Sequence, residues 1–392
     1  MLGPHPFRLF VNPRHGVPGV VTLSAAGFRR AKAEISSWEA YAPTPQRDLP
    51  ALAAAVGLKV LRMKDEAERF GLGSFKALGG AYAVARRLAD LVVQMGVAAT
   101  ATSSDLASGR FRAATETITV TCATDGNHGR SVAWGARRFH CRCVIFVHET
   151  VSARRVDAIA AYGAEVRRVP GNYDDAVRAA AEQAAAEAWH VVSDTSWPGY
   201  TEIPRDIMQG YRLMVDEAAD QWLGPPPTHV FIQGGVGGVA AAVAVHIRAR
   251  FPPTPLLIVV ESDRAACLLK SAEAGVLTPI PGNLDTMMAG LACGEPSLLA
   301  WEELRRSAAA FMAIPDEAAI DTMRLLADIG VVAGESGVAG LVGCLLAAGD
   351  PTSRAILRLG NDSRVQVFNT EGATDAEIYR KFVEPGRRYK YL

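Results

Sequence analysis

Thr228-His-Val-Phe-Ile-Gln-Gly-Gly-Val-Gly-Gly-Val-Ala-Ala-Ala-Val-Ala-Val-His-Ile-Arg-Ala-Arg250 reads as a β-branched and aromatic strand, a glycine turn and an alanine-rich helix. Within Gly234–Gly238 only Val236 is not glycine. Glycine puts no Cβ between the backbone and an approaching group, and the first N–H groups of a helix have no intrahelical acceptor. The turn is therefore a candidate phosphate cradle at a helix N-terminus. A strand that runs through a short turn into a helix also implies an α/β arrangement around a parallel sheet. The same stretch admits a rival. Gly235-Val-Gly-Gly-Val-Ala240 fits the GxGxxA dinucleotide pattern, and the next strand ends at Glu261, near the expected place of a ribose-binding acid.

Outward from this unit, short β-branched runs alternate with alanine-rich stretches. The pattern predicts strands over 117–122, 143–147, 165–169, 230–233, 256–261 and 365–368, and helices over 74–91, 154–162, 174–188, 239–250 and 316–328. Residues 329–349 are apolar, but hold six glycines and Glu335, which suits buried helix and turn better than a membrane span. The polar stretch 96–116 reads as an irregular surface excursion. Breaks at Trp197-Pro-Gly199 and Pro225-Pro-Pro227 suggest a small α/β unit, 84–196, inserted into a larger discontinuous one, 1–83 and 197–392. The cleft between two such units is where a ligand is expected.

The bulk composition narrows the function. The chain has 392 residues, of which 49% are hydrophobic, enough for a large core. Lys plus Arg and Asp plus Glu both number 41, a balance that gives no reason to expect nucleic acid or a membrane as partner. The N-terminus lacks the basic patch and apolar run of a secretory signal, so a soluble, cytoplasmic protein is expected. His140, Cys141, Cys143 and His148 look superficially like metal ligands, but 143–147 reads as a strand, whose alternate side chains point to opposite faces. No metal is expected.

Two further segments stand out. Phe70-Gly-Leu-Gly-Ser-Phe-Lys76-Ala-Leu-Gly-Gly80 is a glycine turn opening a helix with Lys76 as its third residue, where a cation opposes the helix dipole. Thr121-Cys-Ala-Thr-Asp125-Gly-Asn127-His-Gly129 is a strand entering an Asp-Gly-Asn turn. Each has a bland reading by itself, as a solvated lysine or a set of turn formers.

In this order, Ser74-Phe75-Lys76, Gly126-Asn127-His128 and Gly234–Gly238 resemble the tryptophan synthase β-like, fold type II pyridoxal-phosphate enzymes. The resemblance implies two domains of open sheets with flanking helices and pyridoxal 5'-phosphate as cofactor. It implies that Lys76 carries the cofactor as a Schiff base and that Asn127 sits beside the ring oxygen. Gly234, Gly235, Val236, Gly237 and Gly238 would hold the phosphate, and Thr370 would bond the ring nitrogen, with Glu371 as a rival. Gly334-Glu335-Ser336 would also approach the cofactor. Within the family, Asp125 before Gly-Asn-His, Ser193-Asp194-Thr195 with the residues up to Pro204, residues 288–297 and Asn369-Thr-Glu-Gly-Ala-Thr-Asp375 are similar to the diaminopropionate ammonia-lyase branch. Gln46 and Ser131 depart from it, standing where an apolar residue and a glycine are expected.

That branch implies α,β-elimination of 2,3-diaminopropionate to pyruvate and ammonia by a carbon–nitrogen lyase, expected as a homodimer. Lys76 would take the α-proton on one face. Asp125 would take it on the other, or bind the substrate's second ammonium. Asp194 is a second catalytic carboxylate candidate. A hydroxyamino-acid dehydratase (hydroxyaspartate, threonine or serine) or a β-replacement synthase is the nearest alternative. A nicotinamide-dependent oxidoreductase is more remote, since it leaves Lys76 and the Gly-Asn-His turn unexplained. Whether Cys267 and Cys293 meet is open at this level.

Overall fold

The computed structural model describes residues 3–383, apart from the side chain of Asp174. Among the described residues, eleven strands form two sheets. In chain order they are β1 (Arg8–Val11), β2 (Gln46–Asp48), β3 (Val60–Asp65), β4 (Thr119–Ala123), β5 (Arg142–His148), β6 (Glu165–Val169), β7 (His190–Val191), β8 (His229–Gln233), β9 (Leu256–Ser262), β10 (Ala308–Ile314) and β11 (Arg364–Asn369). The larger sheet has the order β1-β10-β9-β8-β11-β3-β2, and only its outermost strands pair antiparallel. The smaller, β6-β5-β4-β7, is parallel throughout.

Most predicted elements are present with ends displaced by a residue or a few, and β6 and the helix Asp316–Asp328 have the predicted limits. The strands β1, β2, β3, β7 and β10 were not predicted from the sequence. Ala308-Ala-Ala-Phe-Met-Ala-Ile314 has the composition of a helix, yet every residue of β10 is buried against β9 and β1. Tertiary pairing overrides a weak local preference here. In β3 the charges of Lys64 and Asp65 hide the pattern. Lys64 is fully buried, with its Nζ 2.8 Å from Glu217 Oε2 and 2.6 Å from the Thr44 carbonyl.

The stretch 96–116 is not an irregular excursion. It holds two short helices, Ser103–Ala107 and Arg112–Thr115, with Ser103, Leu106, Phe111 and Thr115 buried. The Trp38 indole N–H donates to Ser103 Oγ at 3.1 Å and fastens the segment. The apolar stretch 329–349 ends in the buried helix Ala339–Gly349, packed on the larger sheet. Among the described residues, no helix is long and apolar enough to cross a membrane.

The helix Ala77–Gln94 packs on Asn127–Arg138, beside the smaller sheet, and on Glu202–Asp220, beside the larger one. Because both sheets are mainly parallel, the turns that follow β4, β8 and β11 converge on one cleft.

Candidate active site

The cleft is partly open to solvent. Of the residues singled out from the sequence, Lys76, Asp125, Asn127, Asp194, Gly235, Val236, Gly237, Gly238 and Thr370 line it; Gly234 does not.

Lys76 stands just before the helix Ala77–Gln94 as its N-cap, with αR backbone angles, rather than inside the first turn as the sequence suggested. Its Nζ lies 2.5 Å from Asp194 Oδ2, and 5.6 Å and 6.0 Å from the ring centroids of Phe75 and Tyr211. Burial acts to lower the affinity of this amine for its proton, but the Asp194 charge, with Tyr211, outweighs it and raises the pKa above the ordinary lysine range. Asp194 responds in the opposite sense: burial pushes its carboxyl up, while Lys76 and His128 hold it well below the usual value. Lys76 and Asp194 are thus a charged pair in the cleft wall.

Asp125 lies in the turn between β4 and the helix Asn127–Arg138. Its Oδ1 is 2.7 Å from His148 Nε2, and its carbonyl accepts from Arg155 Nη1 at 3.4 Å. Arg155 also donates to Glu335 Oε1 at 2.6 Å. The Asn127 amide donates to Glu371, whose Oε1 accepts the Ser336 N–H at 2.9 Å. Both Glu371 oxygens are therefore engaged, which counts against Glu371 as partner of a ring nitrogen. Thr370 Oγ1 accepts from Gln233 Nε2 at 2.6 Å, so its own proton is available to an acceptor in the cleft. Sequence reasoning gave no role to Gln233, His148 or Arg155. Gln233 and His148 end strands and Arg155 lies in a helix, so no local signal marks them.

At the glycine turn, Gly237 has φ +98°, which a side chain rarely adopts, and it caps the helix Gly238–Arg250. A Cβ on Gly235 would lie 3.0 Å from the Gly290 carbonyl oxygen. Among the described residues, the N–H groups of Gly235, Gly237 and Gly238 find no acceptor. Gly234 instead gives its N–H to Val260, and a Cβ there would meet Val259 and Leu268 at 2.7 and 2.9 Å. Cys267 and Cys293 are both free and both close to Gly235: Cys267 Sγ is 3.7 Å from its carbonyl, and a Cβ on it would lie 3.3 Å from Cys293 Sγ. Gln46 and Ser131 lie outside the cleft.

Glu261 removes the dinucleotide rival. It is fully buried, and its two oxygens accept from the Leu268 and Leu269 N–H groups, each at 2.7 Å. An acid spent on a helix start is not offered to a ribose.

The cleft combines a paired lysine, a glycine turn with free amides and a hydroxyl with an undirected proton. Residues 38–357 match the model of the family described as pyridoxal-phosphate dependent enzyme. The chain belongs to that pyridoxal-phosphate-dependent family. Its cofactor is pyridoxal 5'-phosphate, and the residues fit it: free amides suit a phosphate, and a primary amine suits an aldehyde.

Relatives of this pyridoxal-phosphate enzyme are more specific. The chain is 41% identical over 363 residues to the diaminopropionate ammonia-lyase of Escherichia coli (strain K12), covering 88% of each chain. The crystal structure of holo diaminopropionate ammonia lyase from Escherichia coli matches with a TM-score of 0.89 and 36% identity, over 99% of each chain. The same lyase in complex with an aminoacrylate-PLP azomethine reaction intermediate matches with a TM-score of 0.87 and 36% identity, over 98% of each chain.

Proposed function

We propose that this chain is a carbon–nitrogen lyase that eliminates the β-amino group of 2,3-diaminopropionate and yields pyruvate and ammonia. The observation that carries this reading is the meeting of the primary amine of Lys76 with the carboxylates of Asp125 and Asp194 in a single cleft. A substrate with two ammonium groups is matched by a carboxylate with an unshared oxygen, and Asp125 Oδ2 accepts no hydrogen bond among the described residues. A hydroxyamino acid has no such need. The similarity to diaminopropionate ammonia-lyases supports the same reading.

When bound, pyridoxal phosphate supplies the electron sink that makes the α-proton removable. The chain's own residues do the rest. The amides of Gly235, Val236, Gly237 and Gly238 would hold the phosphate, with Gly234 shaping the turn behind them. Thr370, whose oxygen Gln233 occupies, would donate to the ring nitrogen, and a hydroxyl would leave that nitrogen less protonated than a carboxylate would. A weaker sink favours prompt loss of the β-group. Asn127, steadied by Glu371, would be the group that meets the ring oxygen. Lys76 takes the α-proton on one face, and Asp125 takes it on the other or binds the second ammonium. Asp194 holds Lys76 and is free for that ammonium once Lys76 carries the cofactor.

The reading includes a cytoplasmic homodimer and treats residues 84–196 as the inserted unit, which the separate smaller sheet supports. Product analysis tests the function. Diaminopropionate should give two ammonia molecules per pyruvate; turnover of serine or threonine alone, with one ammonia each, would refute it.

A further inference from the structure

Asp125 is held from behind by a residue that no motif marks. The β4–β5 register pairs Ala123 with Phe146, so two residues further on Asp125 comes alongside His148, the last residue of β5. His148 Nε2 lies 2.7 Å from Asp125 Oδ1, and its Nδ1 lies 2.9 Å from Thr150 Oγ1. The two side chains keep 16% and 19% of their surface, so the pair is neither sealed nor fully solvated. The other charged and titratable groups around it come from separate elements. Arg155, on the helix Ala153–Ala160, donates to the Asp125 carbonyl and pairs with Glu335. Arg168, on β6, donates to the carbonyls of His148 and Glu149. Tyr173, from the helix Tyr173–Glu187, lines the same cleft, and Asp375 accepts from Ser152 beside the Arg155 helix. Within hydrogen-bonding distance of the Asp125 carboxylate there is only His148 among the described residues.

We propose that His148 is a positioning residue for Asp125. It fixes Oδ1 and turns the unshared Oδ2 to the cleft. The inference rests on the reading that Asp125 acts on substrate. In the step it serves, the substrate Cα–H bond breaks as the Oδ2–H bond forms, and the electron pair stays on the substrate. A carboxylate held in one orientation keeps Oδ2 aimed at that proton, so less of the barrier is spent on alignment. The sequence, which offers His148 only as a poor metal ligand, gives no hint of this role.

The test compares His148→Ala, His148→Gln and Asp125→Asn, each loaded with pyridoxal phosphate, on the D- and L-isomers of diaminopropionate. Glutamine keeps an N–H donor near the place of Nε2. His148→Ala should lower kcat on the D-isomer by about 10- to 100-fold, the usual weight of a hydrogen bond to a charged group, and the L-isomer less. His148→Gln should restore much of that loss on the D-isomer, where a merely structural histidine would show no isomer-dependent rescue. If both His148 variants match the parent on both isomers while Asp125→Asn still separates them, the His148 proposal falls and the Asp125 reading stands. If Asp125→Asn affects the isomers equally, both fall. Equal losses on the two isomers in His148→Ala, with weakened cofactor absorbance, would mark a merely structural histidine and also overturn the proposal.

Discussion

Replacing Asp194 by Asn should make cofactor attachment faster, not slower. Attachment requires the neutral amine of Lys76, and in the present arrangement its Nζ is held as an ammonium 2.5 Å from the Asp194 carboxylate. At an effective dielectric of about 20, unit charges at that separation attract by roughly 7 kcal/mol. Desolvation offsets part of this, and removing one partner of a buried pair typically costs about 3–5 kcal/mol. Asparagine preserves the shape and one acceptor oxygen but not the charge. The buried ammonium then relieves its own cost by shedding a proton, so most of the penalty reappears as a lower proton affinity. At about 1.4 kcal/mol per tenfold, the neutral fraction of Lys76 should rise by about 100-fold or more at neutral pH. The assay is the absorbance change when cofactor-free protein is mixed with pyridoxal phosphate, followed across neutral to alkaline pH. The parent rate should keep climbing with pH. The variant should be faster at neutral pH and level off at lower pH, and the cofactor-free variant should lose only part of the full ion-pair cost in stability. A variant whose rate–pH curve coincides with the parent's would refute the claim that Asp194 sets the protonation of Lys76.

Three further outcomes follow from single sites. Gly237→Ala forces a side chain into φ +98° with carbons of Ala300, Leu268 and Leu304 at 3.0–3.2 Å. Strain of about 1–2 kcal/mol and crowding of about 1–3 kcal/mol should lower both thermal stability and cofactor affinity; an unchanged dissociation constant would show that the turn is not the phosphate seat. Burial pushes Glu261 up to about 8 against the two N–H bonds from Leu268 and Leu269, from an ordinary value of 4.5. The folded state therefore binds a proton the unfolded state releases, so stability is full in acid and falls as pH rises from about 4.5 to about 8, by a few kcal/mol. Glu261→Gln should flatten that fall in denaturant titrations, and an identical slope would refute the assignment. Borohydride should fix the cofactor covalently on Lys76 in the parent, whereas Lys76→Ala should bind it reversibly; a labelled peptide from elsewhere in the chain would displace Lys76 from its role.

The local chemistry was legible in the chain itself. Gly234–Gly238 after a strand, Lys76 after Ser74-Phe75 and Asn127 in its turn are each defined by neighbours in sequence, because backbone freedom and helix starts depend on adjacent residues. The order of these segments carried the cofactor and the family. The residues that surround them were not legible, because their partners are far away along the chain. Asp125 meets His148 across 23 positions, Lys76 meets Asp194 across 118, Gln233 meets Thr370 across 137 and Arg155 meets Glu335 across 180. Such contacts depend on which strands lie side by side and in what register. β10 shows the same limit in the fold, as an alanine-rich run that becomes a strand because β9 and β1 flank it. Glu261 shows it in the site. By position it suited a ribose, and only the folding back of the next helix start to the end of β9 gave both its oxygens to the N–H groups of Leu268 and Leu269. The sequence determined the reactive groups and the turns that present them; tertiary pairing decided their partners, since the charge, burial and hydrogen bonding of a side chain depend on neighbours in space.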